Sequence, residues 1–219
     1  MLDTKTIIDF AFSVIGPVVL LTAFGYGLYK TGLMTDDFVE RASRLIFNFA
    51  LPALLFTTIS ASNIDAVFDF DMIVIGVLGT ITICFALMLI SPFLVAKRSD
   101  RGVVIQGAFR SNMGIIGLAY CANAYGEAGL ALGSIYLGAL TITYNVISVG
   151  ILNFYLDSKT SFIIVIKGVA SNPIILSIVA ALLVSTFNIK LPSIILNSAG
   201  YFAQLTLPLA LLCTGAALR

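Results

Sequence analysis

The chain is predicted to be an all-α polytopic membrane protein with seven transmembrane helices, on three observations. Of its 219 residues, 59% are hydrophobic and 11% charged, whereas a soluble domain is about half apolar and a quarter charged; the mean hydropathy is +1.07. Apolar runs long enough to cross a bilayer recur along the whole length. Basic residues gather in alternate connecting loops. So much apolar surface needs lipid as its solvent.

At about 20 residues per crossing, the first span is Ile7–Tyr29, too long for the apolar core of a cleavable signal and without a small-residue cleavage site after it. The second covers about Leu45–Ala61 and is interrupted by Pro52. The third is Met72–Ala96, the fourth Gly102–Ala124 and the fifth Gly129–Tyr155. After Asp157-Ser158-Lys159 a short segment, Ser161–Ala170, is expected along the interface. The sixth span runs from Pro173 to Phe187, and the seventh from Ser193 to Leu218, broken by Pro208.

Seven crossings put Lys30, Arg41, Arg44, Lys97, Arg98, Arg101, Lys159, Lys167 and Arg219 on one face. The other face receives Lys5 and Lys190 with the acidic Asp65, Asp69, Asp71 and Glu127. Positive charge stays inside, which predicts an outer N-terminus and a multi-pass protein of the cytoplasmic (inner) or plasma membrane.

Several function classes have no support. Cys84, Cys121 and Cys213 all sit in apolar runs as small packing residues, and histidine, the commonest metal ligand, is absent. No nucleophile–base pair, metal set or phosphate-cradling glycine loop is found. No enzyme, cofactor, metal or ATP-driven reading follows, and no basic stripe suggests nucleic acid.

Polarity at depth singles out Phe109-Arg110-Ser111-Asn112-Met113-Gly114-Ile115-Ile116-Gly117, inside the fourth span. Arg110 lies roughly 13 Å along the helix from Arg101. Charged groups at that depth face protein or a water-filled cavity, and no carboxylate in the sequence is obviously deep enough to pair with this one. An unpaired cation on a cavity wall suits an organic anion. Unwound backbone nearby would free N–H and C=O groups for a ligand, and a half-helix N-terminus suits a carboxylate. The competing reading is a tightly packed helix whose Arg110 snorkels to the interface.

Other polar residues in spans point more to packing. Asn48 and Gln204 each stand four positions before a proline, where they can satisfy a carbonyl that the proline frees or meet a ligand. Gln106 and Asn145 are expected to hydrogen-bond between helices. Gly129 and Gly133 form a small-xxx-small pair that predicts a close helix contact. Asp9, the carboxylate of the first span, sits near its outer edge.

A weak internal repeat completes the pattern. Leu51-Pro52-Ala53-Leu54-Leu55 and Leu207-Pro208-Leu209-Ala210-Leu211-Leu212 superimpose at an offset of 156 residues, which also places the sixth span near the first. Five spans per copy is an odd number, so the second copy enters the membrane inverted.

The chain resembles the auxin efflux carrier family, in its bacterial malate/malonate-permease-like branch. The resemblance rests on Gly25-Tyr26-Gly27-Leu28-Tyr29-Lys30-Thr31-Gly32, Asn48-Phe49-Ala50-Leu51-Pro52-Ala53-Leu54-Leu55-Phe56, Phe109 to Leu118, Asn172-Pro173 and Leu207 to Leu212, in that order. It implies ten helices in two inverted five-helix repeats, with broken fourth and ninth helices crossing at a substrate site for small organic anions such as dicarboxylates. Residues 1–155 then form the first repeat, and 156–219 a loop and the first two helices of an incomplete second. Three helices are expected to be missing, so the chain is expected to be truncated. Ala119 stands where the family pattern has a proline, which moves the expected unwinding onto Gly114 and Gly117.

The expected substrate-binding residues are therefore Arg110, Asn112, Gly114, Gly117 and Asn48, with helix breaks at Pro52, Pro208 and Gly114. Expected partners are a small organic anion, the bilayer and a coupling proton or sodium ion, with homodimerisation left open. Three alternatives remain at this point: a bile-acid-type sodium/organic-anion symporter, a seven-helix receptor, and a non-transporting assembly subunit.

Overall fold

A computed structural model describes residues 3–63, 68–156 and 162–218. Asp65, Asp157, Ser158, Lys159, Ser161 and Arg219, used above for loops and orientation, lie outside the described residues. Among those described, the elements are all helical.

Helix α1 is Thr4–Lys30, with Pro17 inside it. Helix α2, Asp36–Leu45, starts where the Thr35 hydroxyl accepts the Phe38 N–H, with Asp36 and Asp37 in its first turn. It continues through a π turn, Ile46–Ala50, into α3, Leu51–Ala61. The second span thus begins well before Leu45. The polar lead-in is helical because Asp37 pairs with Arg41, and Glu40 with Arg44, one turn apart.

Asp69 caps α4, Phe70–Leu94, by accepting the Met72 N–H at 2.9 Å. Helices α5, Arg98–Phe109, and α6, Leu118–Leu156, flank a second π turn, Met113–Gly117. Helix α7 is Phe162–Ala170. The Asn172 side chain then caps α8, Pro173–Thr186, by accepting the Ile174 N–H, with Pro173 at the first helical position. Helix α9, Ser193–Ala216, closes the order.

Two expected breaks are absent. Helix α9 runs through Pro208 without interruption, and Pro52 lies in the first turn of α3, directly after the π turn. A proline ring clashes with the carbonyl four residues back; before Pro52 the widened turn makes that room. Lipid holds no water to take over lost backbone bonds, so keeping the rest of the ladder is favoured over unwinding.

The stretch Arg98–Leu156 is 59 residues long, roughly 88 Å if straight against about 30 Å of hydrocarbon. It folds back at Gly126, whose φ of 62° and ψ of −142° suit a residue without a Cβ. The two arms then run antiparallel. Gly133 meets Leu118 and Cys121, Gly114 meets Leu137, Gln106 bonds the Ser148 carbonyl, and Gly102 meets Tyr155. Gly129, against the Cys121 carbonyl, and Gly133 make the close contact their spacing predicts. The fourth and fifth spans are therefore separate crossings. Gly126→Ala is expected to cost about 1–3 kcal/mol of backbone strain, read as a lower melting temperature in detergent.

Two hydrophobic cores result. One joins α1, α2, α3, α8 and α9 with part of α6, around Leu51, Leu55, Ile59, Ala181 and Leu211. The other joins α4, α5 and the rest of α6, around Ile105, Phe109, Leu140 and Tyr144. Helices α1 and α9 cross where Gly25 meets Leu212 and Gly215 meets Thr22. Toward both N-termini, Pro17, Val18 and Leu21 line one cavity with Gly200, Gln204 and Pro208. The two helices therefore run in the same direction.

Candidate functional site

Helix α5 ends at Phe109, and the chain is extended at Arg110, with φ −78° and ψ 113°. Asn112, at φ −81° and ψ 59°, precedes the restart. The fourth span is thus interrupted at Arg110-Ser111-Asn112, ahead of Gly114 and Gly117. Those two glycines lie in the π turn, where the Ile116 and Gly117 N–H groups both donate to the Asn112 carbonyl, at 3.0 and 3.2 Å. A Cβ added at either would meet ordinary contacts, starting at 3.6 Å for Gly114 and 3.5 Å for Gly117. Neither glycine makes the break, which corrects the expectation for Gly114.

The break is instead held from across the hairpin. Tyr144 of α6 is buried, and its ring meets Phe109 edge-on at 5.6 Å. Its hydroxyl lies 3.1 Å from Ser111 Oγ and 3.5 Å from Met113 Sδ. One side chain thus touches residues before, within and after the interruption. Serine and asparagine compete with the backbone for hydrogen bonds and so tolerate leaving the helix.

Arg110 is exposed, and its Nη2 donates to Asn145 Oδ1 at 3.4 Å. Among the described residues no carboxylate pairs with it; the ion pairs there belong to Arg41, Arg44 and Lys97. The Asn112 carboxamide, also exposed, makes no capping bond to the helix it precedes. A helix N-terminus carries unsatisfied N–H groups and partial positive charge. Arg110, Asn112 and the start of Met113–Gly117 therefore form one electropositive, donor-rich surface. The end of α5 offers backbone carbonyls beside it.

The remaining nominated residues sit elsewhere. Asn48 lies in the first π turn, where its Nδ2 donates to the Arg44 carbonyl at 2.8 Å. That bond goes to backbone one turn back and not to the carbonyl four residues before Pro52, and among the described residues no hydrogen bond links Asn48 to Arg110. Gly114 approaches Leu51, next to Pro52. Pro208 and Gln204 line a cavity of about 560 Å³ between α1, α3, α6 and α9, with Thr57, Thr58, Asn123 and Glu127. Asn123 also donates to the Val14 carbonyl at 3.0 Å.

Sequence reasoning did not nominate Tyr144, Asn123 or Glu127. A tyrosine directly beside Asn145 in the fifth span was the available signal for the first. Asn123 and Glu127 flank the Gly126 turn and carried none.

A bundle of membrane-spanning helices, one of them interrupted by a polar segment, fits a membrane transport protein. The chain belongs to the membrane transport protein family, whose sequence profile matches residues 10–161; these are the auxin efflux carriers that its motifs resemble. It is similar to the uncharacterized transporter YfdV of Escherichia coli (strain K12), 24% identical over 184 residues that cover 81% of this chain and 59% of the relative. The YfdV protein of Shigella flexneri matches to the same extent. An uncharacterized transporter of Methanothermobacter thermautotrophicus is 24% identical over 206 residues, 92% of this chain and 66% of that protein. The chain spans about 59% of the length of the YfdV relatives it matches.

Proposed function

We propose that the protein is a secondary-active carrier of small organic anions such as dicarboxylates, working by alternating access around the broken fourth span. The observation that carries this is Arg110: a guanidinium within a membrane span, with a neutral partner, beside the N-terminus of a restarting helix. Charged residues in spans mark substrate and ion paths, and broken helices aim their N-termini at anionic groups. Arg110 and Asn112 supply the donors, and Gly114 and Gly117 lie in the restarting turn that follows them. Asn48 is a backbone-satisfying residue in this reading.

The inverted repeat, with residues 1–155 as one copy and 156–219 opening the next, has further support. At the 156-residue offset Pro17 falls on Pro173 as well as Pro52 on Pro208, pairing four of the six prolines. Lys30, the end of α1, falls on Thr186, the end of α8. Asp36 and Ala61 fall within one residue of the ends of α9. A two-fold exchanging the copies would also exchange the α1–α9 contact with the α3–α8 contact, and both are extensive. The cavity by Asn123 and Gln204 is walled by residues of the first core, lies beside the Gly126 turn and serves as a vestibule on the outer side.

The test is flux in proteoliposomes carrying the protein expressed from its complete reading frame, with a panel of malonate, malate, succinate and neutral analogues. Saturable flux of dicarboxylates over the neutral analogues is expected. Imposed proton and sodium gradients would identify the coupling ion. No flux of any organic anion refutes the class.

A further inference from the structure

We infer that Asn145 is a specificity-determining positioning residue: it holds the Arg110 guanidinium with a neutral acceptor and so keeps that cation uncompensated for an anionic substrate. The inference rests on the carrier reading above, with Arg110 as the anion-facing charge. Its basis is one turn of α6. Tyr144 touches Phe109, Ser111 and Met113, Asn145 accepts from Arg110, and the Ser148 carbonyl accepts from Gln106 Nε2 at 3.4 Å. Neighbouring residues of α6 thus grip the end of α5, the interruption and the restart.

Within that grip, the residue type at 145 decides the electrostatics. An extended Arg110 backbone leaves a long side chain free to take many directions, and a hydrogen bond to a fixed carboxamide selects one. A carboxylate at the same place would hold the guanidinium more strongly, through a charge-assisted bond. It would also set a negative charge against the positive one and so reduce the charge offered to an anion. Asparagine and aspartate differ in shape by little more than NH2 against O. Orientation is therefore retained with either, while the charge offered to a ligand is retained only with asparagine.

The experiment compares wild type, Asn145→Asp and Asn145→Ala in the full protein, reading the concentration dependence of malonate flux and the melting temperature in detergent. Asn145→Asp is expected to melt at or above wild type yet lose at least about tenfold in kcat/KM, the scale of one hydrogen bond to a charged group, chiefly through KM. Asn145→Ala is expected to melt a little lower, with a smaller loss because the cation stays free. Wild-type kinetics in Asn145→Asp would overturn the inference. So would equal losses in both variants with lowered melting temperatures, which would mark a packing role alone. If the wild type carries no organic anion, the carrier reading fails and the specificity role with it. The Arg110–Asn145 hold is then judged by melting alone: Asn145→Ala equal to wild type would refute it.

Discussion

Arg110→Ala is expected to lower dicarboxylate kcat/KM by about 10- to 100-fold while leaving the protein folded. Hydrogen bonds to charged groups contribute about 1.5–3 kcal/mol each, and 1.4 kcal/mol corresponds to a factor of ten. The side chain is exposed and its one described partner is Asn145, so little packing is lost with it. Arg110→Lys should fall between. Lysine keeps the charge but lacks the planar array of donors that can reach Asn145 and a carboxylate together. Initial-rate flux, set beside gel filtration of the same preparations, checks both halves. Full flux in Arg110→Ala would remove the guanidinium from the site and leave Asn112 and the helix terminus to account for anion recognition.

Much of the architecture is legible from hydropathy because lipid makes simple demands. A span must be apolar, about 20 residues long and internally hydrogen-bonded, and spans one to seven each have a helical counterpart. Local chemistry was equally readable at Asn172-Pro173, which caps and starts α8, and at Gly129 and Gly133, which let the hairpin arms close. That a site lies in Phe109–Gly117 could be read from polarity. Its conformation could not. Gly114 and Gly117 tolerate unwinding, but tolerance does not cause it. The partners that hold it are Tyr144 and Asn145, more than thirty residues away in sequence, through hydrogen bonds and one ring contact.

The prolines misled for a related reason. Pro52 and Pro208 forbid one backbone bond each, yet a helix in lipid has no better place for the others, so the ladder widens or carries on. The cavity was invisible because it draws on four separated helices, with Glu127 brought in by a turn that depends on one glycine.

Gly215→Ala is expected to have the largest effect on stability. A Cβ there would stand 1.9 Å from the Thr22 carbonyl oxygen and 2.7 Å from its carbon, both backbone atoms of α1. At Gly25 the clash is with the Leu212 carbonyl oxygen, at 2.1 Å. Carbon–oxygen contacts between helix backbones settle near 3.3–3.6 Å, so α1 and α9 would have to separate by more than about 1 Å. No flexible side chain can yield in their place. The shift would loosen Val18, Leu211, Cys213 and Ala216, which are buried in the same core. A cost of about 3 kcal/mol or more follows, at or beyond the upper end for overpacking. Because one separation relieves both clashes, Gly25→Ala with Gly215→Ala should cost less than the two singly. Gly27, on the same helix with nothing within 4 Å of an added Cβ, is the control, and alanine there should be neutral or gain up to about 1 kcal/mol. Melting temperature and monodisperse yield in detergent separate these cases. Small residues let membrane helices approach closely, and this pair sits where α1 and α9 converge beyond the cavity. Should Gly215→Ala melt like Gly27→Ala, the two backbones do not meet there, and the wall that α1 and α9 share around the cavity has no fixed hinge.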